Sequence, residues 1–175
     1  MEWKTLTCPC LRKKVTKEIN QTDNFTYRSS FSWIEAVSHV ANLVINHSEF
    51  KKRVEQIEKF DYTDDNGKQV FEKLIQTKCV LRTYKSKNPW SKAIATTYRN
   101  NKIDIYFNTR RNPRSIELMV NTAIHELLHN AGYGHGDNSP TGKENSVNYK
   151  VGAIASIVYT FYIQNPIALD SYNKF

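Results

Sequence analysis

Within the stretch 123–137 the chain reads AIHELLHNAGYGHGD, and three of its five histidines fall there in the spacing H-E-x-x-H-x-x-G-x-x-H. Imidazole nitrogens are ligands for a borderline-soft divalent ion such as zinc. Two histidines four apart on a helix project from one face, so His125 and His129 can reach the same ion, with Glu126 beside them as a base. A catalytic zinc takes three protein ligands and keeps a fourth position for water, so a third donor must return from beyond this helix. Gly132 supplies the means. Lacking a Cβ, it can leave a helix in a left-handed conformation and swing His135 back towards the metal. Two carboxylates compete with His135 for the third position. Glu144 lies among Asn, Ser, Pro, Thr and Gly rather than on a second helix, and Asp137 suits a hydrogen bond to a ligand imidazole better than a bond to the metal. The expected set is His125, His129 and His135 around Zn2+. Two ordinary histidines on a half-buried helix would leave Gly132 and His135 without a role.

Zinc lowers the pKa of a bound water from about 15.7 to near 7, which makes a hydroxide-like nucleophile available at neutral pH. Glu126 is the expected general base: it would orient and deprotonate that water, then pass the proton to a leaving amine. The reaction so described is amide hydrolysis without an acyl-enzyme. No Gly-x-Ser-x-Gly elbow, and no cysteine near the histidines in sequence, offers a rival nucleophile.

On these residues the chain resembles the metzincin clan of zinc endopeptidases, whose signature it matches without a gap at His125, Glu126, His129, Gly132 and His135. The likeness covers the stretch from the strand before the helix to the residues just after His135. It implies a metzincin-like zincin fold of the α/β (α+β) class, with a mixed twisted sheet, a scaffold helix, an active-site helix and a C-terminal helix. It also implies a protein or peptide substrate. A methionine-containing turn is expected beneath the metal, and there the chain departs, because its two methionines, Met1 and Met119, both precede His135. Ser146-Val147-Asn148-Tyr149 stands where that turn would fall, with Val147 or Asn148 in the methionine's place. In some clan members a tyrosine just after the turn approaches the metal. That makes Tyr149 a candidate catalytic residue, able to hydrogen-bond a developing oxyanion; the alternative is a tyrosine half buried at a helix start. Gly136, which follows the third histidine, matches no family marker, so the likeness is to the clan alone. Some zymogens of the clan block zinc with a cysteine, a role for which Cys8 or Cys10 would be the candidate.

Several elements must hold these groups. Ser30 or Ser32 is placed to cap a long scaffold helix, on which Trp33, Val37, Val40, Ala41 and Val44 recur at helical spacing. His39 and His47 read as satisfied surface histidines outside the site. The polar stretch 61–67 lacks the glutamate that ends a calcium loop and reads as a solvated turn. A short helix over about 68–76 leads into a strand at 79–84. The segments 93–99 and 102–109, joined by Asn100-Asn101, read as a β-hairpin whose second arm feeds the zinc helix. By the resemblance an edge strand lies above the site, to which an extended peptide would add through backbone hydrogen bonds. The hairpin either supplies that rim or is interior. Arg110, Arg111, Pro113 and Arg114 read as a basic solvated turn, and the apolar run 151–163 as a buried C-terminal helix beneath the site.

At 175 residues the chain is about one domain's length, read as an N-terminal extension over 1–28 and a catalytic domain over 29–175. With 39% hydrophobic and 24% charged residues it has a soluble composition, and no run approaches the 18 or so apolar residues of a membrane span. The net charge of +8 favours acidic partners. Arg12-Lys13-Lys14 and Arg110-Arg111 do not build a nucleic-acid module, so no nucleic-acid partner is expected, and a monomer is the default. Three cysteines are too few for a disulfide scaffold. The first residues carry no apolar core of a secretory signal, which leaves a cytoplasmic protein, a removed leader and another export route all open. The sequons at Asn20, Asn24 and Asn46 are common by chance. Two other functions compete: a zinc amidohydrolase acting on a non-protein amide or cell-wall peptide, and a non-catalytic zinc-bound interaction module. Glu126 argues against the second, since a structural zinc is closed by four ligands and has no use for a base.

Overall fold

The computed structural model describes residues 23–98, 101–135 and 145–165. Among these residues ten elements follow one another: strand β1 (Phe25–Tyr27), helices α1 (Ser32–Ile45), α2 (Ser48–Glu55) and α3 (Gly67–Gln76), strands β2 (Cys79–Tyr84), β3 (Ala95–Tyr98) and β4 (Asn101–Asn108), helices α4 (Ile116–Asn130) and α5 (Val147–Val158), and a π-helical turn (Tyr159–Gln164). The class is mixed α/β, with five helices and a four-stranded mixed sheet ordered β1-β2-β4-β3.

β1, β2 and β4 run parallel, with Phe25 opposite Cys79 and Leu81 opposite Ile105, and β3 pairs antiparallel with β4 along the outer edge. The period of two divides the sheet's faces. Leu81, Ile105 and Phe107 are fully buried on the helix side, each contributing about 1.5–3 kcal/mol by leaving water. On the other face Arg82 pairs with Asp104 at 2.8 Å, and the Tyr106 hydroxyl donates to Asp104 at 3.0 Å. The two expected arms pair antiparallel, but Asn101, expected in the turn, already begins β4, Asn100 lies outside the described residues, and the arms have different places. β4 is an interior strand and β3 is the edge, with an irregularity between Thr97 and Tyr98.

The stretch expected as an extension over 1–28 ends inside the sheet. β1 is only three residues long, too short to carry a period, and buried amides place it. Asn42 on α1 accepts from the Phe25 N–H at 2.9 Å and donates to the Phe25 carbonyl at 2.8 Å, while Ser38 donates to that same carbonyl at 3.1 Å. Asn24, 1% exposed, gives its amide to the carbonyls of Leu74 (3.1 Å), Ile75 (3.0 Å) and Thr77 (2.8 Å) at the end of α3. The last carbonyls of a helix have no partner further along it, and of these three the Leu74 carbonyl also takes the Thr77 N–H at 3.1 Å.

Of the expected stripe on α1, Val37, Ala41 and Val44 are buried while Trp33 and Val40 are half-buried against the core, and Ile34 and Ile45 join the buried face. Its cap is not the expected one. Phe31 occupies the N-cap without a side-chain bond, and Ser29, rather than Ser30 or Ser32, accepts the Phe31 N–H at 3.1 Å. His39 is exposed, and His47 caps α2 by accepting the Glu49 N–H at 3.2 Å; neither lies in the histidine cluster. α3 begins in a capping box between Asn66 and Gln69. A Cβ at Gly67 would fall 1.9 Å from the Val54 carbonyl oxygen, so only glycine allows α3 to start against α2.

Two loops read as solvated turns are tied down. In the 61–67 loop the Asp61 N–H donates to Asn145 at 3.1 Å, and Asp65 accepts the Tyr133 hydroxyl at 2.7 Å. In the basic loop, Arg110 and Arg111 donate through Nε to the carbonyls of Ser86 (2.9 Å) and Ser91 (2.8 Å), although both residues stay exposed. The C-terminal helix starts earlier than expected, so Val147, Asn148 and Tyr149 form its first turn. α5 packs along α4, where the Asn121 amide donates to the Ser156 hydroxyl at 3.2 Å. Among the described residues no helix is long and apolar enough to cross a membrane.

Candidate metal centre

α4 opens on Ser115, whose hydroxyl accepts the Leu118 N–H, and buries Met119, Val120, Ala123, Ile124, Leu127 and Leu128 in the core. That stripe leaves His125, Glu126 and His129 together on the part-buried flank of the helix. The helix ends as glycine allows. Gly132 has φ of 102°, its N–H donates to His129 at 3.0 Å, and the Tyr133 N–H donates to Leu128 at 3.0 Å. These two crossed bonds are the Schellman motif, which satisfies the last carbonyls and reverses the chain. Two residues later His135 faces back onto the helix.

The three imidazoles converge. The Nε2 atoms of His125 and His135 lie 3.2 Å apart, ring centroids are separated by 5.0 Å (His125 to His129), 5.2 Å (His125 to His135) and 4.5 Å (His129 to His135), and one ligand nitrogen from each lies within 4.8 Å of the others. Two nitrogens on one tetrahedral zinc, each about 2.0–2.1 Å from it, stand about 3.3 Å apart, and the His125–His135 pair already has that spacing. The Nδ1 of His129 lies 2.8 Å from the Tyr133 carbonyl oxygen. A carbonyl only accepts, so Nδ1 carries the hydrogen and Nε2 keeps its lone pair for a metal. Burial, together with the neighbouring His129 and His135, takes the pKa of His125 down to about 3, and burial also lowers that of His129. Both rings are therefore neutral and able to ligate.

Glu126 joins α4 to the edge strand. Burial raises its pKa to about 7, against hydrogen bonds donated by the hydroxyl and backbone N–H of Thr97 on β3, which favour the ionised form. Tyr149, on the first turn of α5, sets its ring 4.7 Å from that of His125 at 85° and 5.4 Å from that of His135. It is 39% exposed, so one side faces the histidines and the other faces solvent. Beside it Asn148 is fully buried and donates to the His125 carbonyl at 3.0 Å, while its Oδ1 has no partner among the described residues. Val147, 1% exposed, belongs to the core.

Five residues named from the sequence thus come together: His125, Glu126, His129, His135 and Tyr149. Asp137, Glu144 and Gly136, and likewise Cys8, Cys10 and Asn20, lie outside the described residues. Sequence reasoning missed Thr97, Asp65 and the double role of Tyr133. For Tyr133 a signal existed, since the residue after a helix-ending glycine commonly packs back onto the last turn. For Thr97 and Asp65 there was none, because each meets its partner across a long span of chain.

Comparison with protein-family models, with curated proteins and with solved structures returned no match.

Proposed function

We propose that this protein is a zinc-dependent endopeptidase whose centre is built as in the metzincins, with His125, His129 and His135 as the ligands of Zn2+. The observation that carries the reading is the convergence of three imidazoles beside a carboxylate held by Thr97 on β3, an outermost strand of the sheet among the described residues. When bound, the ion would acidify water in its open position and polarise the scissile carbonyl. The remaining work falls to this chain. Glu126, buried and with a proton affinity near neutrality, takes the proton of the attacking water and returns it to the leaving amine. Thr97 fixes the orientation of that carboxylate from β3. An extended peptide adding to the outer edge of β3 would run past Glu126, with its main chain held by backbone hydrogen bonds. Tyr149, on α5, donates its hydroxyl to the carbonyl oxygen as charge develops there.

Cleavage-site profiling of a peptide library tests this reading, with the purified protein compared against Glu126→Ala and against a chelator-treated sample. Cuts that vanish in both controls are expected. A protein that holds one zinc and makes no cuts would overturn the peptidase reading in favour of an amidohydrolase of another substrate class or a binding module.

A further inference from the structure

We propose that Asp65 is a positioning residue for this metal centre and acts through Tyr133; the inference rests on reading His125, His129 and His135 as metal ligands. Asp65 lies in the loop before α3, far from the signature in sequence, yet its carboxylate accepts the Tyr133 hydroxyl at 2.7 Å. Lys73 on α3 pairs with the same carboxylate oxygen, and its ammonium stands 5.4 Å from the centroid of the Tyr133 ring. The phenol is thus held at its oxygen and over its face. Tyr133 is only 7% exposed, so its ring is packed within the core.

Tyr133 bonds one ligand and lies two residues before another. Its carbonyl takes the Nδ1 hydrogen of His129, which sets that ring's tautomer and tilt. Its backbone is also the second step of the Schellman ending, and the chain reaches His135 only two residues further on. A shift of Tyr133 therefore moves the ring of His129 and the approach of His135 together. The same loop holds the chain again where it returns, since Asp61 donates to Asn145 and bridges to Ser146 at the start of α5, just ahead of Tyr149. Residues 61–65 grip the site on both its loop-borne sides, and Asp65 is the contact that reaches a ligand-bearing turn through a side chain.

A purely structural Asp65 would change stability and leave the metal's surroundings alone, so the test reads the metal. Zn2+ affinity is measured by chelator competition, and Co2+ is substituted to record its visible absorption, for the wild type, Tyr133→Phe, Asp65→Ala, the double variant and Asp64→Asn. Tyr133→Phe keeps the ring and the core and removes only the hydroxyl, so it remains informative should Asp65→Ala fail to fold. The expected result is a loss of affinity of about tenfold in each single variant, at the lower end of what losing an outer partner of a ligand costs. The double variant should lose no more than the larger single loss, because both remove one hydrogen bond. The Co2+ spectrum should shift in these three and stay fixed in Asp64→Asn. Unchanged affinity and spectrum in folded Tyr133→Phe would overturn the proposal, and so would a wild type that binds no ion. A wild type that binds zinc, cleaves nothing and still shows the tenfold losses would sink the peptidase reading while upholding the role of Asp65.

Discussion

The two halves of the candidate centre are built on different physics. His125, Glu126 and His129 ride on α4, whose other face is nailed into the core by Ile124, Leu127 and Leu128, all fully buried. Their mutual geometry is that of any helix, and packing holds it. His135 stands on chain that has left the helix and Tyr149 on the first turn of α5, and contacts from other segments bear on them: the Gly132 turn, the Tyr133 hydroxyl on Asp65, and the Asn148 amide on the His125 carbonyl. A helix delivers precision from local periodicity, whereas a loop needs each partner supplied from elsewhere. The helical half should therefore fail all at once and the loop-borne half by degrees.

The largest effects come from attacking the helical half. His125→Ala should lower Zn2+ affinity by more than about a hundredfold, beyond the loss of any outer partner. His135→Ala, which leaves the helical pair in place, should retain more affinity than that, and chelator competition on both variants measures the gap. If His135→Ala proves the worse of the two, the contrast drawn between helix and loop is wrong. Glu126→Gln should cost about 10² to 10⁴ in kcat while zinc content by elemental analysis stays at the wild-type level. In the loop-borne half, Tyr149→Phe is expected to lower kcat by up to about 10² with KM and metal affinity retained, if its hydroxyl serves an oxyanion. An effect confined to KM would assign Tyr149 to substrate packing instead.

Smaller effects probe the turn and its anchor. Gly132→Ala meets no atom within 4 Å, so its cost is conformational alone, about 1–2 kcal/mol for an alanine at positive φ. Thermal melting of the metal-free protein should show a Tm lower by a few degrees, and Gly132→Asn, better tolerated in that region, a smaller drop. Asp65 sets a weak acid dependence. The hydrogen bonds from Lys73 and Tyr133 hold its folded pKa below the ordinary carboxylate value, so its contribution is complete above the unfolded pKa and is lost as pH falls through the folded one. Acid unfolding of Asp65→Asn should therefore run closer to that of the wild type at low pH than at neutral pH.

What could be read in advance follows the same division. The faces of α1 and α4 were legible because burial repeats every three or four residues, and the left-handed turn was legible because glycine alone adopts φ of 102° without strain. The β3–β4 hairpin showed in its alternation, but which arm is the edge depends on the parallel pairing of Val80 with Asp104, a contact that no local pattern carries. Polar composition concealed the 61–67 loop, where Asp65 serves a tyrosine far along the chain, and hid β1, which is held by Asn42 and Ser38 rather than by any strand period of its own. The serines at 30 and 32 looked like caps because capping is a short-range habit, yet Phe31 takes the N-cap with no side-chain cap, and Ser29 bonds only the N–H of Phe31 itself.

Asn24 heads an Asn-Phe-Thr sequon, and its side-chain nitrogen, the atom to which an N-linked glycan attaches, is the one that donates to Leu74, Ile75 and Thr77. A sugar on that nitrogen would replace one of its two hydrogens and force a bulky polar group into the seam between β1 and α3. Glycosylation at Asn24 and this fold exclude each other, so in a glycosylating host the yield of native protein should rise when Thr26→Ala abolishes the acceptor.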